Sequence, residues 1–329
     1  MVMNDILTSL DKKKQQLERH LPLSPDLLEN LYNWFKIELT YTSNAIEGNT
    51  LSRAETALVV EKGIAVDGKT IVEHLEAINH AQAFEWVVQH IHTPRKQITQ
   101  QLVLELHQLI LQKINDAQAG RFRTVPVRIA GSSVIMPNPS KVPDLMEQFI
   151  DWLQTSEDNL VKLAAEAHYR LVSIHPFVDG NGRTARLLMN FLLMQANFPP
   201  AIIRKEDRRK YIASIEKGQL GGSLNDYYAL QYAAVDRSLD LYLDSLEEKE
   251  HKTSLQQEQL LKIGELAKLT GETTPTLRYW TNEGLLKVAE LSKGGYQLYT
   301  QDQIDIVKKI RTLQESERLT LAEIQLRLG

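Results

Sequence analysis

The sequence predicts a mainly α-helical chain with at least two folded units, and three observations support this prediction. The chain has 329 residues, which exceeds the usual size of a single domain. Its hydrophobic residues make up 43% of the total, enough to build cores, and recur mostly at spacings of three and four, the period of an amphipathic helix. A charged, glutamine-rich stretch over residues 247–259 cannot pack a core and therefore separates two parts of the chain.

The helical pattern is strongest in the first 200 residues. Between Leu27 and Ala45, apolar side chains recur on one helical face. The same pattern predicts helices at Ile71–His92, Ile98–Ile114, Val142–Leu153, Leu160–Ile174 and Thr184–Asn197. Val125–Pro137 is different, because β-favouring residues there flank the turn-forming stretch Ala130–Ser133. This segment predicts one small β-hairpin.

These patterns divide the chain into five parts. Residues 1–95 form an N-terminal helical region, residues 96–200 a helical core, and residues 201–246 the helices that complete this body. Residues 247–259 are expected to be a linker or an exposed helix. Residues 260–329 are numerous enough for a small second domain.

Composition excludes several classes of protein and site. The chain has no cysteine, so disulfides and thiolate metal sites are excluded, and any metal must have oxygen or imidazole ligands. A formal net charge of −4 argues against a chain that is basic throughout, although it permits a local nucleic-acid-binding face. Charges within residues 1–21 argue against a signal peptide, and no apolar run approaches the length of a membrane span. We therefore expect a cytoplasmic protein with no membrane partner.

The segment from His175 to Arg186, HPFVDGNGRTAR, carries the strongest chemical signal in the chain. It joins one predicted helix to the next, and its stretch Asp179–Gly182 has little side-chain bulk. Backbone amides there can turn inward around an anion at the positive end of the following helix. Arg183 and Arg186 lie three residues apart, so both guanidinium groups can reach one phosphate chain. The pattern predicts a site for a di- or triphosphate.

Two further residues indicate what happens at that phosphate. Asp179 is a hard oxygen ligand beside the loop, and Mg²⁺ commonly binds through one or two carboxylates plus substrate phosphates. His175 is fixed in direction by Pro176 and can accept a proton from an incoming hydroxyl. A plain glycine turn after a helix-ending histidine is the alternative. The histidine, acid, glycines and two arginines within twelve residues favour attack on a phosphate.

The same run matches the Fic signature, His-x-Phe-x-(Asp/Glu)-Gly-Asn-Gly-Arg-x-x-Arg, at every defined position, so the chain resembles the Fic family. The resemblance implies a Fic-fold helical bundle with residues 96–200 as catalytic core, ATP as substrate and Mg²⁺ as metal. It implies His175 as general base and Asp179 as Mg²⁺ ligand. The nucleotide-binding residues that it implies are Phe177, Gly180, Asn181, Gly182, Arg183 and Arg186, with Phe177 anchoring the loop in the core.

His168 lies seven residues before His175, on a similar helical face. A metal-binding pair of histidines is one interpretation, but no third ligand is evident. A packed structural histidine is the commoner role for such a residue, and we expect His168 to have it.

Ser43, Glu47 and Gly48 end the strong helical stripe of the N-terminal region. By pattern alone they form a helix terminus with Gly48 as its cap. Beside the Fic signature, they resemble the family's inhibitory motif, (Ser/Thr)-x-x-x-Glu-(Gly/Asn), in the form that precedes the catalytic core. The resemblance implies that Glu47 pairs with Arg186 in the place of the γ-phosphate. Glu47→Gly should therefore raise transferase activity, and His175→Ala should abolish it.

Two other segments resemble functional parts of the family. Gly120–Gly131, which includes part of the predicted hairpin, resembles the flap that pairs with the target segment by strand addition, although a purely structural hairpin is the alternative. Tyr211, Ile212 and Gln219 fall where the family places adenine contacts, often a tyrosine pair and an asparagine. Ile212 and Gln219 depart from that pattern and leave the choice of nucleotide base open.

The C-terminal domain resembles the MerR-type winged helix-turn-helix over residues 260–329. Two predicted short helices surround a turn at Gly271, and Gly294–Tyr299 supplies a turn and a short strand typical of a wing. The candidates for DNA contact are Thr274, Thr276, Arg278 and Lys293. Residues 261–329 contain ten Lys and Arg against nine Asp and Glu, and Gln297 stands where relatives usually have a wing arginine. DNA binding and a protein-docking or dimerising role are therefore equal alternatives.

Together these features predict a self-inhibited protein adenylyltransferase that adds AMP to a Ser, Thr or Tyr hydroxyl of a target protein and to itself. One alternative is a DNA-binding regulator whose Fic body senses a nucleotide. Another is a de-AMPylase in which Glu47 positions a water molecule. A homodimer is compatible with the sequence.

Overall fold

The computed structural model describes residues 3–129, 131–258, 260–292, 295–317 and 319–328. The chain divides into two compact units, Met1–Asp244 and Ser245–Gly329. Within the described residues, we find no helix whose length and apolar character would carry it across a bilayer.

The first unit is built of packed helices, which confirms the mainly α-helical prediction. In chain order they are α1 Met3–Glu18, α2 Pro25–Glu47, α3 Arg53–Lys62, α4 Ile71–His90, α5 Gln100–Leu111, α6 Val142–Thr155, α7 Leu160–Ile174, α8 Asn181–Gln195, α9 Arg208–Gln219 and the first part of α10 Asn225–Glu258, which continues beyond the last residue of this unit. Residues 247–258 of the predicted linker are part of α10, so their backbone is helical. Gln259 lies outside the described residues.

Helix α8 is the central helix of the first unit. It is buried along nearly its whole length, and α2, α4, α5 and α7 all pack against it. It begins directly after Gly180, whose φ of 78° is in the left-handed region that favours glycine. The loop between α7 and α8 therefore rests on the most tightly packed part of the unit.

Helix α2 ends at Glu47, beside the cap that the sequence predicts. Gly48 has a φ of 105°, and its N–H donates to the carbonyls of Asn44 and Ala45. The next residue is fixed by α4, because the Asn49 side-chain amide donates to Glu73 O at 3.0 Å and to Glu76 Oε2 at 2.9 Å. The end of α2 is thus tied to the start of α4.

The predicted hairpin is corrected by the structure. Residues 125–129 and 131–137 contain no strand. The two ends of this segment are bridged by Arg123, whose guanidinium donates to Val125 O at 3.2 Å and to Pro137 O at 2.7 Å. A side chain therefore supplies hydrogen bonds that strand pairing was expected to supply.

The second unit combines short helices with a small antiparallel sheet, the arrangement of a winged helix-turn-helix. Its helices are α11 Ile263–Thr270, α12 Thr274–Asn282, α13 Asp302–Ser316 and α14 Leu321–Leu328. Its strands are β1 Leu261–Lys262, β2 Glu290–Leu291 and β3 Gln297–Tyr299, in the order β1-β3-β2. Leu261 pairs with Tyr299, and Glu290 pairs with Leu298. The helices and the sheet share one core, which includes Leu266, Leu277, Trp280, Tyr299 and Ile310.

Candidate active site

His175 ends α7 in a left-handed backbone conformation, with a φ of 50°. Its carbonyl oxygen accepts from Arg123 Nε at 2.7 Å. Its imidazole Nδ1 lies 3.3 Å from Val172 O, and because a carbonyl can only accept, Nδ1 carries the proton and Nε2 has a free lone pair. Burial lowers the pKa of this imidazole below its usual value of 6.5. The Nε2 lone pair is therefore available at neutral pH.

Asn181 and His107 hold the loop from inside. The Asn181 side chain accepts from Phe177 N–H and donates to Phe177 O, both at 2.9 Å, so its amide closes the loop on itself. The His107 ring stacks on Phe177 with the centroids 3.6 Å apart. His107 Nδ1 accepts from Gly120 N–H, and its Nε2 lies 2.9 Å from Asp179 O. Burial lowers the pKa of His107 to about 4, so the neutral ring donates from Nε2 to that carbonyl.

His107 was not predicted from the sequence. It lies on α5 among apolar residues, and nothing in the local pattern distinguishes it from any other buried polar residue. Its contact with the loop joins positions that are 72 residues apart.

Asp179 faces outward from the loop. One carboxylate oxygen accepts from Gly180 N–H at 2.6 Å, and the side chain is 65% exposed. A single accessible carboxylate suits a cation that takes its other ligands from substrate phosphates and water. The described part of the chain has no cluster of three or more His, Asp or Glu that could hold a metal by itself.

Arg183 is placed differently from the prediction. Its side chain is 2% exposed, and its Nη1 donates to Glu76 Oε1 on α4 at 2.7 Å. Its Nη2 is 3.5 Å from the carboxylate of Asp179. Arg183 therefore braces the loop against α4, while Arg186 is the signature arginine that lines the open pocket. Glu76 is a second loop contact that the sequence did not reveal.

Arg186 is bound mainly by α2. Its Nε donates to Ser43 Oγ at 2.9 Å, and its Nη2 donates to Ser43 O at 3.0 Å and to Glu47 Oε1 at 2.6 Å. Its Nη1 lies 3.4 Å from Tyr211 Oη. The Glu47 carboxylate thus occupies one edge of the Arg186 guanidinium. Guanidinium groups commonly bind phosphate through such edges.

Gly182, at the start of α8, is a residue that the Glu47 carboxylate approaches closely. A Cβ atom at this position would lie 2.3 Å from Glu47 Oε1 and 3.0 Å from Arg186 Nη1. Only glycine therefore lets the carboxylate approach the N-terminus of α8, where free N–H groups and the helix dipole favour an anion. Glu47 fills this anion site with its own carboxylate.

An open pocket lies between His175 and α9. It is lined by Glu47, Arg128, Ile129, Ser132, Val172, His175, Gly182, Arg186, Tyr211, Ile212, Ile215, Glu216 and Gln219. The structure thus places the predicted adenine contacts, Tyr211, Ile212 and Gln219, in the same pocket as the loop residues His175 and Gly182. Ile129, Ile212 and Ile215 give the pocket an apolar wall suited to a flat ring. The Gln219 amide donates to Ser173 Oγ at 3.3 Å, so it is turned toward α7.

Glu216 on α9 contacts Ser132 and Ser133 in the segment between α5 and α6. Its carboxylate accepts from Ser132 Oγ at 2.8 Å and from Ser133 N–H at 3.1 Å. The hydrogen bond from Ser132 is the main cause that holds the pKa of Glu216 below its usual value. Glu216 therefore holds Ser132 and Ser133 at the edge of the pocket that Ser132 lines.

The DNA-contact candidates of the second unit lie on and after α12. Thr274 and Thr276 are in its first turn, where the Thr273 side chain accepts from Thr276 N–H at 3.3 Å. Arg278 is exposed on the same helix, whereas Trp280 is buried in the core. Lys293 lies outside the described residues.

The fold and the site define a class of protein, a helical bundle whose anion-binding loop and arginine are occupied by the protein's own glutamate. The Fic/DOC family model matches residues 97–193. The model of the MerR HTH family regulatory proteins matches residues 261–328.

Relatives and solved structures agree with these matches. Protein adenylyltransferase Fic from Culex quinquefasciatus is 38% identical over 261 residues, which cover 78% of this chain and 51% of the relative. The protein of the same name from Nematostella vectensis is 35% identical over 248 residues, which cover 73% of this chain and 56% of the relative. The chain spans about half the length of these curated relatives.

Two solved structures extend the likeness to the fold. A fragment of Fic-1 from C. elegans has 30% identity and a TM-score of 0.69, with 75% of this chain and 74% of that one covered. A Fic domain containing signaling protein from Bacteroides thetaiotaomicron has 28% identity and a TM-score of 0.65, with 74% and 98% covered. The chain belongs to the Fic/DOC family, and both resemblances inferred from the sequence are confirmed.

Proposed function

We propose that this chain is a self-inhibited protein adenylyltransferase, which transfers AMP from ATP to a Ser, Thr or Tyr hydroxyl of a protein. The observation that carries the proposal is the shared pocket, which His175, Gly182 and Arg186 line together with Glu47. The name protein adenylyltransferase Fic, borne by relatives that are 38% and 35% identical, supports AMP as the transferred group.

The reaction that suits these residues is a displacement at the α-phosphorus of ATP. His175 Nε2 accepts the proton of the target hydroxyl while the hydroxyl oxygen bonds to the α-phosphorus. The bond between the α-phosphorus and the pyrophosphate oxygen breaks, and pyrophosphate leaves. Free N–H groups at the start of α8 donate to phosphate oxygens, and Arg186 donates to the phosphate tail once Glu47 has left. Asp179 is the residue that would hold Mg²⁺, which neutralises charge on the phosphates.

Glu47 inhibits in this proposal by competing with the phosphate tail. Its carboxylate already takes the Arg186 fork at 2.6 Å, and two negative groups at one site repel each other. ATP then binds in a reactive pose only after Glu47 moves away. Because Glu47 is the last residue of α2, the proposed release is a movement at the end of this helix.

Intact-mass measurement tests both the reaction and the donor. Glu47→Gly, incubated with Mg²⁺ and each nucleoside triphosphate in turn, should gain the mass of AMP only with ATP. Adding His175→Ala to this variant should abolish the gain, because the base is lost. Equal or lower incorporation by Glu47→Gly than by the unmodified chain would sink the proposal.

A matched control is available on the same helix. Glu38 also lies on α2 and pairs with an arginine, Arg53, at 2.5 Å, but it does not line the pocket. Glu38→Gly should therefore behave like the unmodified chain. A target protein that already carries AMP should also be incubated with each form of the chain. If the unmodified chain removes this AMP and Glu47→Gly does not, the reaction is AMP removal.

A second proposed function is DNA binding by the second unit, favoured by its match to the MerR HTH family over residues 261–328. Gel shifts with genomic fragments, run beside labelled-ATP incorporation, test it. Arg278→Ala on α12 should weaken a shift. Arg327→Ala, which removes a basic residue of α14 that is paired with Glu317, should not. AMP incorporation with no shift for any fragment would favour protein docking as the role of this unit.

A further inference from the structure

His168 lies behind the pocket, and tyrosines bind both nitrogens of its ring. It is completely buried. Its Nδ1 is 2.8 Å from Tyr227 Oη, and its Nε2 is 2.7 Å from Tyr211 Oη. Neither nitrogen is left for a metal, so the metal-pair interpretation of His168 and His175 is excluded.

The direction of every hydrogen bond in this group follows from one carbonyl. Ala165 O can only accept, so Tyr227 donates its single hydroxyl proton to it at 2.7 Å. Tyr227 must then accept from His168, which places a proton on Nδ1. Burial lowers the pKa of His168 to about 3, so the neutral ring has no second proton. His168 Nε2 therefore accepts the hydroxyl proton of Tyr211.

Tyr211 consequently presents only its oxygen lone pairs to Arg186. Its proton is used by His168, and Arg186 Nη1 lies 3.4 Å from its oxygen. A proton on His168 Nε2 would reverse the direction of the hydrogen bond between His168 and Tyr211, because Tyr211 would then accept it. The O–H of Tyr211 would be free to face the guanidinium, which has only donors. The proton position on His168 thus decides whether Arg186 faces the lone pairs or the O–H of Tyr211.

We propose that His168 and Tyr227 are positioning residues for Arg186, which they orient through the Tyr211 hydroxyl toward the phosphate tail of the nucleotide. This inference rests on the proposed function, because the phosphate tail is that of ATP. When Glu47 leaves, Arg186 loses its contact at 2.6 Å, and Ser43 and Tyr211 are the partners that remain. The role of this hydrogen-bonded group is therefore greatest in the active state.

The first test measures the proton on His168 and needs no activity. In the full chain labelled with ¹⁵N-histidine, His168 should have a protonated Nδ1 and an unprotonated Nε2, with its signals assigned by their loss in His168→Gln. Tyr227→Phe removes the acceptor of Nδ1–H and should shift the ring toward the Nε2–H form. A protonated Nε2 on His168 in the unmodified chain would overturn the inference, even if the Tyr227 variant does not fold.

The second test compares two nucleotides that differ in the phosphate tail. In a Glu47→Gly, His175→Ala background, which should bind ATP without transferring AMP, Tyr227→Phe should weaken ATP binding about three- to tenfold, the effect of one lost hydrogen bond. Binding of AMP should stay the same, because AMP has no phosphate at the place of Glu47. An equal loss for both nucleotides would show a merely structural role and overturn the inference.

Tyr228→Phe is the matched control. Tyr228 is the next residue on α10, but its hydroxyl donates to Glu166 instead of joining this group. Its loss should change the affinity for neither nucleotide. A background that binds no ATP would count against the proposed function, while the protonation of His168 would still decide the positioning inference.

Discussion

The proposed chemistry depends on the protonation of one imidazole. Burial is the largest influence on the pKa of His175, and it lowers that pKa. The hydrogen bond to Val172 and the charges of Glu47 and Asp179 oppose burial, while Arg123 adds to it. The net direction of the pKa shift is downward, so the His175 imidazole is neutral at physiological pH.

This direction predicts the pH dependence of AMP transfer by Glu47→Gly. A general base must be unprotonated, so the rate should be level near neutral pH and fall only as pH drops through a value below 6.5. Removal of Glu47 also removes a charge that raises this pKa, which moves the inflection further down. Initial rates at ATP concentrations well below saturation, measured from acidic to neutral pH, follow the free enzyme and give the inflection. A value above 6.5 would contradict this assignment of His175.

At the scale of an element, the segment after α5 depends on one side chain. Arg123 is 1% exposed, and its guanidinium donates to the carbonyls of His175, Val125 and Pro137. The guanidinium has five N–H donors in a fixed fork, so it bridges the loop after α7 and both ends of the segment. A lysine at this position offers one ammonium group and cannot reach all three carbonyls.

Arg123→Lys should therefore loosen the segment without unfolding the central helix. Amide hydrogen exchange should become faster in residues 124–129 and 131–137, while α8 should keep its protection. The free energy of unfolding should fall by about 1–3 kcal/mol, the cost of buried carbonyls without partners. Arg121→Lys, two residues earlier and exposed, is the control. Unchanged exchange in the segment would show that Arg123 does not hold it.

At the scale of the whole first unit, the buried histidines His80, His107 and His168 make stability depend on pH, and the pKa values of His80 and His168 are the lowest of the three. Burial lowers the pKa of His80 and of His168 to about 3, and Arg186 contributes to both shifts. Below pH 6.5 the unfolded chain binds protons at these positions that the folded chain does not. Stability is therefore lost as pH falls from 6.5 toward 3, by about 1.4 kcal/mol per pH unit for each histidine.

His80→Asn tests this dependence. Asparagine does not titrate, and its short amide suits the Thr40 hydroxyl, which His80 Nδ1 contacts at 3.1 Å. Denaturant unfolding between about pH 6 and pH 5 should show a slope smaller by about 1.4 kcal/mol per pH unit than that of the unmodified chain. His92→Asn, at a less buried position, is the control and should leave the slope unchanged. Equal slopes for His80→Asn and the unmodified chain would refute the prediction.

Much of the fold was predictable because its signals are local. The apolar period at Leu160–Ile174 gives the bounds of α7, and the pattern at Ile71–His92 exceeds α4 by two residues. The hairpin prediction failed for a physical reason. Residues 125–137 have strand propensity, but Arg123 and Glu216, which lie outside them, supply the hydrogen bonds that hold the segment.

The sequence by itself determined which groups the candidate anion-binding loop contains, since His175, Asp179, the glycines and both arginines are consecutive or one helical turn apart. Only the tertiary structure decided how these groups are partnered. Arg183 turns to Glu76, 107 residues away, and His168 joins Tyr211 and Tyr227 behind Arg186. Such bonds link different helices and leave no periodic pattern, because they depend on how the helices pack and on which carbonyls remain to accept.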